Sequence, residues 1–271
     1  MAYDLSGEGA DYPPWRGPPA RTLIVATQQR SGSTLLGEAI YFGRGLGCPL
    51  EYFHRGFRPA FEERWDVTSL DAYIAQLQHR RTDPSGTFSL KLFWRDVLDL
   101  ANERAPGVFE NLRLAPPAQV PTETYRGLYN LLPDFLRSAS WILLSRRDAV
   151  RQAVSTFVAW KTESWRRLFE DESRPLSAPA YDAVQIRRLL SRVLRSNAHW
   201  QRFLESNDLP HVNVVYEDME EDYAGTVRRL LHSLGCPDAP IAAPRLHKQT
   251  NAWSEELCEQ FLAEFRGALP L

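Results

Sequence analysis

Four short apolar segments alternate with longer amphipathic segments along this chain. The apolar segments lie at 22–27, 88–94, 141–145 and 212–216, and each contains β-branched or aromatic residues. Segments of this length and composition are typical of buried β-strands, and the amphipathic segments between them are typical of helices. Strands that alternate with helices form a parallel sheet with both faces covered. The pattern therefore predicts an α/β fold, in a single domain over residues 21–271.

The same periodicity predicts where the helices lie. We expect one after the first strand as far as about Phe42, one or two within 57–80, one over 122–137, one that continues past Trp160 and Trp165, one over about 181–206, one as far as about Leu234, and one over 253–265. Residues 1–20 are instead rich in Pro, Gly and Ala, which predicts a mobile N-terminal arm, with Tyr12 or Trp15 as its anchor.

Composition and charge exclude several classes of protein. The chain has 271 residues with 44% hydrophobic and 24% charged residues, values typical of a globular protein. A formal net charge of −2 does not indicate nucleic-acid binding, so any anion site must depend on locally placed arginines. No apolar run approaches the ~20 residues of a membrane span, and the N-terminus lacks a signal-peptide pattern. We therefore expect a cytoplasmic protein, and its three scattered cysteines suit a reducing compartment.

The turn after the first strand carries the first candidate chemistry. Residues 28–34 form a polar turn with one glycine, and Ser33 or Thr34 then opens a helix. In such a turn, backbone N–H groups and the positive end of the helix dipole converge on an anion. The turn differs from the G-x-x-x-x-G-K-[ST] loop of nucleotide triphosphatases, since its cation, Arg30, precedes the glycine. The alternative is an ordinary strand-to-helix connection with a serine cap.

The third strand ends in a second group of candidate residues, Arg146, Arg147 and Asp148. A magnesium-dependent nucleotidase often has an acidic residue here to bind its metal, whereas this chain has two arginines. They indicate a second anion that guanidinium groups bind directly, without a metal. Ser155 lies about two helical turns beyond Asp148, on the same face as the helix start. The alternative is a charged helix terminus, although arginines there oppose the helix dipole.

Three further residues stand out between the first two strands and within the second. Glu51 is surrounded in sequence by apolar and aromatic residues, an environment that suits a general base. The alternative is a surface glutamate, and His54 is similarly either structural or catalytic. Lys91 interrupts an apolar strand, so it either extends to the sheet edge or faces a buried anion.

Taken together, these motifs resemble those of the bacterial trehalose 2-sulfotransferase family over about residues 22–265. The segments that carry the resemblance are Gln29-Arg30-Ser31-Gly32-Ser33-Thr34, Pro49-Leu50-Glu51-Tyr52-Phe53, Lys91-Leu92-Phe93-Trp94, Arg146 through Ser155, and Gln249 with Trp253. The resemblance implies a P-loop-type sulfotransferase fold. It also implies an enzyme that transfers a sulfuryl group from 3′-phosphoadenosine 5′-phosphosulfate (PAPS) to a hydroxyl group without a metal.

The resemblance assigns roles to individual residues. The 5′-phosphosulfate would be bound by the turn residues Arg30, Ser31, Gly32, Ser33 and Thr34. The 3′-phosphate would be bound by Arg146 with Ser155, and Arg147 would share or replace the role of Arg146. The nucleotide would be covered by Lys248 and Gln249. Glu51 would be the general base, and Arg30 would stabilise charge on the leaving oxygen.

The acceptor is less well defined by the sequence. Phe53, Trp160 and Trp165 are candidates for an acceptor-binding wall, together with His54 and Lys91, although core packing is the alternative for each aromatic residue. Residues 54–87 depart from the trehalose enzyme, which leaves a carbohydrate, a glycolipid or a secondary metabolite as the small hydroxylated acceptor. A homodimer is compatible with the sequence.

Two other functions remain open at this point. One is a P-loop phosphotransferase that uses ATP and Mg²⁺, with Asp218 after the fourth strand as metal ligand. The missing Walker lysine argues against it. The other is a nucleotide-binding protein without catalytic activity, for which loss of Glu51 would not matter.

Overall fold

A parallel β-sheet forms the centre of the protein. The computed structural model describes residues 4–165, 179–246 and 252–265. Its strands are β1 (Arg21–Thr27), β2 (Thr87–Phe93), β3 (Ser140–Ser145) and β4 (His211–Val215). Their order in the sheet is β2-β1-β3-β4, and every neighbouring pair is parallel. The predicted α/β class is confirmed, and each strand lies within one or two residues of its predicted position.

The described helices connect and flank these strands. They are α1 (Ser33–Phe42), α2 (Arg58–Trp65), α3 (Leu70–Arg81), α4 (Trp94–Arg104), α5 (Thr122–Asn130), α6 (Asp134–Arg137), α7 (Ala149–Thr162), α8 (Ala183–Ser206), α9 (Tyr216–Glu221), α10 (Tyr223–Ser233) and α11 (Ala252–Glu264). None of them is both long enough and apolar enough to cross a membrane.

Several helix boundaries differ from the prediction. The helix predicted over 122–137 is interrupted before α6, where Pro133 keeps the preceding residue out of the helical conformation. Helix α7 ends at Thr162 and does not continue past Trp165, because Glu163 adopts a left-handed φ of 54°. The helix predicted as far as Leu234 is two helices, since the carboxylate of Asp222 accepts from Gly225 N–H and begins α10.

The two faces of the sheet pack against different sets of helices, as the sequence predicts. Along β1, Leu23 and Val25 pack on the side of α1 and α10. Ile24 and Ala26 belong to the larger cluster on the opposite side, which contains buried residues of α3, α4, α5 and α8. Because successive side chains of a strand point to opposite faces, β1 is buried on both.

Residues 4–20 contact the sheet domain, whereas their composition predicts a mobile arm. Leu5 and Ala10 are buried in a small cluster with Cys48. Tyr12 N–H and Trp15 N–H donate to carbonyl groups at the end of α3, at 2.9 and 2.8 Å. This stretch therefore packs along α3 before it enters β1.

Candidate active site

The candidate site lies at the carboxyl ends of β1 and β3. From β1 the chain passes to β2 on one side, and it later returns to β3 on the other side. In open parallel sheets such a reversal leaves a crevice outside the strand ends, and ligands bind there. The turn at 28–32 follows β1 and Arg146 follows β3, so the topology brings the two predicted anion-binding groups together.

The turn after β1 is fixed by its own hydrogen bonds and by two helices. The Ser31 hydroxyl is buried, lies 2.6 Å from the Thr27 hydroxyl and donates to the Gln28 carbonyl at 2.7 Å. Gln152 of α7 donates its side-chain amide to the Gln29 carbonyl at 2.8 Å. Trp200 of α8 donates its indole N–H to the Thr27 carbonyl at 3.0 Å. Because these groups are engaged inside the protein, the turn is held in one conformation and the Ser31 hydroxyl is turned away from a ligand.

Gly32 is required by the geometry of this turn. Its φ is 83°, and a Cβ at this position would lie 2.4 Å from a ring carbon of Tyr216. Gly32 is also the N-cap of α1, and it has no side chain with which to cap the helix. The first N–H groups of α1 are therefore left for another acceptor, as in helix termini that bind anions.

Two arginines meet beside the turn. Arg30, in a left-handed conformation with φ 62°, donates from Nε to the Ser155 hydroxyl at 2.9 Å. Arg146 donates from Nη1 to the Arg30 carbonyl at 3.4 Å. Burial and the nearby charge of Arg146 lower the pKa of Arg30 to about 10. A bound anion would relieve this repulsion.

The adjacent arginines Arg146 and Arg147 have different environments. The Arg146 side chain is 11% exposed, lies 4.8 Å from the centre of the Tyr216 ring and lines a small cavity with Ser155. The Arg147 side chain is 66% exposed and pairs with Asp218 at 2.9 Å. Arg146 Nε also lies 3.7 Å from the Glu217 carboxylate, so both arginines have an acidic neighbour, but Arg146 rather than Arg147 lines the cavity beside Ser155.

A cleft of about 440 Å³ extends from the turn to the second group of predicted residues. Arg30, Thr34, Glu51, His54 and Lys91 all line it. The carboxylate of Glu51 lies 2.7 Å from the Lys91 ammonium group, and their side chains are 12% and 3% exposed. Of the two alternatives for Lys91, the structure supports the buried anion, which is Glu51 itself. The ion pair holds the Glu51 carboxylate at the wall of the cleft.

His54 completes this part of the cleft. Its Nδ1 accepts a hydrogen bond from Gly56 N–H at 3.1 Å, and its ring meets that of Phe93 edge to face at 5.7 Å. Burial lowers the pKa of His54. A neutral ring with Nδ1 as acceptor leaves Nε2 as an N–H donor.

Not all predicted acceptor residues reach this cleft. Trp165 lines it, and its carbonyl accepts from Arg30 Nη1 at 2.7 Å. Phe53 is instead a core residue, 3% exposed, whose ring packs edge to face on that of Tyr73. Trp160 lies in a separate surface groove, where the Arg192 guanidinium is 5.0 Å from its ring. Lys248 and Gln249 lie outside the described residues.

Sequence reasoning did not identify Gln152 or Tyr216 as site residues. Both contact the turn from other elements. Gln152 donates to the Gln29 carbonyl, and the Tyr216 ring packs beside Gly32 and Arg146. A position directly after the last strand, at the same sheet edge as the two arginines, is the signal that could have indicated Tyr216.

With this geometry established, similarity to known proteins identifies the family. Residues 22–264 match the family described as Stf0 sulphotransferase. The chain belongs to the Stf0 sulphotransferase family. As a sulfotransferase it acts on a sulfuryl donor, which agrees with an anion-binding turn beside a candidate base. The phosphotransferase and non-catalytic alternatives are not supported, because the match covers nearly the whole chain.

Two curated relatives have similar lengths. The chain is 27% identical over 273 residues to the trehalose 2-sulfotransferase of Mycobacterium tuberculosis, an alignment that covers 90% of this chain and 95% of the relative. It is 25% identical over 267 residues to the trehalose 2-sulfotransferase of Mycolicibacterium smegmatis, covering 93% and 98%. The resemblance to trehalose 2-sulfotransferases is thus confirmed. A crystal structure of a sulfotransferase from Alicyclobacillus acidocaldarius aligns with a TM-score of 0.45 at 16% identity, over 93% of this chain and 92% of that one.

Proposed function

We propose that this Stf0 sulfotransferase transfers the sulfuryl group of PAPS to a hydroxyl group of a small carbohydrate, with Glu51 as general base. The observation that carries the proposal is the shared cleft. Glu51 lines the same cleft as Arg30 and the start of α1, so a base and an anion-binding turn face one space. A transferase of this kind needs that arrangement, because the acceptor must lie between base and donor.

The residues around the turn fit the two anionic groups of PAPS. The uncapped start of α1 and Arg30 would bind the 5′-phosphosulfate. Arg146 and Ser155, on the β3 side, would bind the 3′-phosphate, and the exposed position of Arg147 argues against an equal role for it. Support comes from the contact between Arg30 and Ser155, which joins the two halves of the anion site.

In the proposed reaction, Glu51 takes the proton of the acceptor hydroxyl while the acceptor oxygen forms its bond to sulfur. The bond between sulfur and the bridging phosphate oxygen breaks, and 3′-phosphoadenosine 5′-phosphate (PAP) is the leaving group. Backbone N–H groups of the turn and Arg30 stabilise the charge that develops on that oxygen. A sulfuryl group carries less negative charge than a phosphoryl group, so these donors replace the metal of a kinase. Lys91 positions Glu51.

The acceptor we propose is a sugar of about disaccharide size. Both curated relatives are named for trehalose. A cleft of about 440 Å³ lies at the small end of the range for ligand sites, and its lining combines apolar surface with polar groups such as Glu51 and His54. Trehalose is therefore the first acceptor to test.

The donor is tested by thermal unfolding in the presence of nucleotides. PAP is expected to raise the melting temperature strongly, ADP less, and ATP with Mg²⁺ least, because only PAP has the 3′-phosphate assigned to Arg146. Equal stabilisation by ADP would contradict that assignment.

Product masses are then measured with labelled PAPS and trehalose, with and without EDTA. Activity that EDTA abolishes and Mg²⁺ restores would contradict the metal-independent mechanism.

A further inference from the structure

The N-terminal residues form one wall of the same cleft. Asp4, Leu5 and Ser6 line it, together with Glu51. The wall has a defined conformation, since the Asp4 carboxylate accepts from Ser6 N–H at 2.8 Å and from the Ser6 hydroxyl at 2.6 Å. A stretch whose composition predicts a mobile arm is therefore part of the space in which we place the acceptor.

A buried arginine attaches this wall to the sheet domain. Arg81, at the end of α3, is fully buried and donates to the Leu5 carbonyl at 2.7 Å and to the Gly7 carbonyl at 3.2 Å. Its guanidinium also pairs with Asp11 at 2.8 Å. A buried guanidinium needs such partners, because an unpaired charge inside a protein is strongly destabilising. Residues 4–11 therefore supply the groups that make the burial of Arg81 favourable.

Further contacts join the wall to the candidate base. Arg64 donates to the Ser6 carbonyl at 2.7 Å. Leu5 is buried in a cluster on which Leu50 packs, and Leu50 precedes Glu51 in the chain. The Leu50 carbonyl in turn accepts from Lys91 N–H at 2.8 Å. The wall and the Glu51–Lys91 pair thus belong to one connected structure.

We propose that Asp4, Leu5 and Ser6 are an acceptor-selecting wall, attached by Arg81, that limits the acceptor to about the size of a disaccharide and excludes water from the cleft. This inference rests on the proposed function. With the wall present, the cleft has a volume of about 440 Å³, towards the small end of the range for ligand sites. Water is the competing acceptor for a sulfuryl group, so an enzyme must exclude it until the sugar is bound.

Deletion of residues 1–7 tests both effects, and it retains Ala10 and Asp11 as partners of Arg81. We expect kcat/KM with trehalose to fall about tenfold, and maltotetraose to become a better acceptor relative to trehalose. Hydrolysis of PAPS without any acceptor should rise several-fold, as water gains access. This last measurement needs no knowledge of the natural acceptor.

A matched pair of substitutions separates the wall from general effects on folding. Ser6→Tyr places a ring in the cleft, whereas Glu8→Tyr adds the same ring at an exposed position of the same segment. Ser6→Tyr is expected to raise KM for trehalose at least tenfold without raising PAPS hydrolysis, and Glu8→Tyr to leave both unchanged. Both variants should retain the increase in melting temperature with PAP.

The outcomes distinguish this inference from the proposed function. The selecting role of the wall would be overturned if PAP still raises the melting temperature of the truncated protein while its PAPS hydrolysis and its preference among sugars are unchanged. Equal effects of Ser6→Tyr and Glu8→Tyr would overturn it as well. A full-length protein that PAP does not stabilise would instead contradict the proposed donor, and the selecting role of the wall would fail with it.

Discussion

The Glu51 carboxylate and the Lys91 ammonium group form a buried ion pair at 2.7 Å, with Lys91 in the middle of β2 and Glu51 beyond α1. Both side chains line the cleft that starts at the turn after β1, where we place the sulfuryl donor. The pair explains why a lysine lies within an apolar strand. It also fixes the carboxylate that we propose as the base, so the two residues can be tested together.

Glu51→Gln retains the shape of the side chain but cannot accept a proton. We expect kcat to fall by roughly two to four orders of magnitude, the usual contribution of a general base. PAP affinity should hardly change, since the nucleotide contacts that we propose for Arg30 and Arg146 do not involve this carboxylate. The measurement compares kcat with the PAP dissociation constant for one variant. Near-normal kcat would contradict the assignment and make His54→Gln the next variant to test.

Lys91→Met removes the partner of a buried carboxylate. We expect the free energy of unfolding to decrease by about 3 kcal/mol, because the Glu51 charge then lacks its counter-ion. The double variant Glu51→Gln/Lys91→Met should be less destabilised than Lys91→Met alone, which a double-mutant cycle in urea measures. Additive losses would mean that the two side chains do not interact in solution.

The two arginines after β3 offer a matched comparison. Arg146→Met should raise the PAP dissociation constant roughly 30-fold or more, because it removes the largely buried guanidinium that we propose as the partner of the 3′-phosphate. Arg147→Met should change it by less than about threefold, since this exposed side chain pairs with Asp218 on the surface. Calorimetric titration measures the PAP dissociation constant of both variants. Equal effects would contradict the assignment of the 3′-phosphate to Arg146.

Gly32→Ala tests the requirement for glycine in the turn. The substitution places a Cβ 2.4 Å from the Tyr216 ring at φ 83°, so it should abolish the stabilisation by PAP as well as weaken the fold. Gly107→Ala is the control, because Gly107 has a similar φ of 80° with no atom within 4 Å of the added Cβ. The control should lose about 1 kcal/mol, the cost of the left-handed backbone alone. Similar losses of stability for Gly32→Ala and Gly107→Ala would mean that contact with the Tyr216 ring does not destabilise the Gly32 variant.

The sequence predicts those parts of the molecule that depend on local patterns. The strands are predicted because each is a short apolar run. Arg30 and Arg146 lie side by side because each follows a strand of one parallel sheet, whose carboxyl ends share an edge. The wall is not predicted, since Arg81 and Leu5 are far apart in sequence and their contact is through a backbone carbonyl. The sequence pattern also does not predict helix α4. Its N-terminus is stabilised by a hydrogen bond between Asp96 and the last residue of β2.

Asp96 gives a prediction that depends on pH. It is buried, its Oδ2 accepts from Phe93 N–H at 3.0 Å, and its Oδ1 has no hydrogen-bond partner among the described residues. Burial raises the pKa of Asp96 to about 7, and the Phe93 bond opposes this while the charge of Glu51 adds to it. Between about pH 4 and pH 7 the folded protein therefore retains a proton that the unfolded chain has lost.

Stability must fall across that range as the pH rises, because the folded state binds more protons than the unfolded state. Above pH 7 the carboxyl group is ionised in both states and the penalty stays constant. Asp96→Asn imitates the protonated form and keeps an oxygen for Phe93 N–H. Its stability relative to the native protein should thus increase by about 3 kcal/mol between pH 4.5 and pH 8, as measured by urea unfolding. Asp71→Asn, at a surface position with a 90% exposed side chain, is the control. A constant difference between Asp96→Asn and the native protein from pH 4.5 to pH 8 would contradict the raised pKa of Asp96, because it would mean that the folded and unfolded states bind the same number of protons.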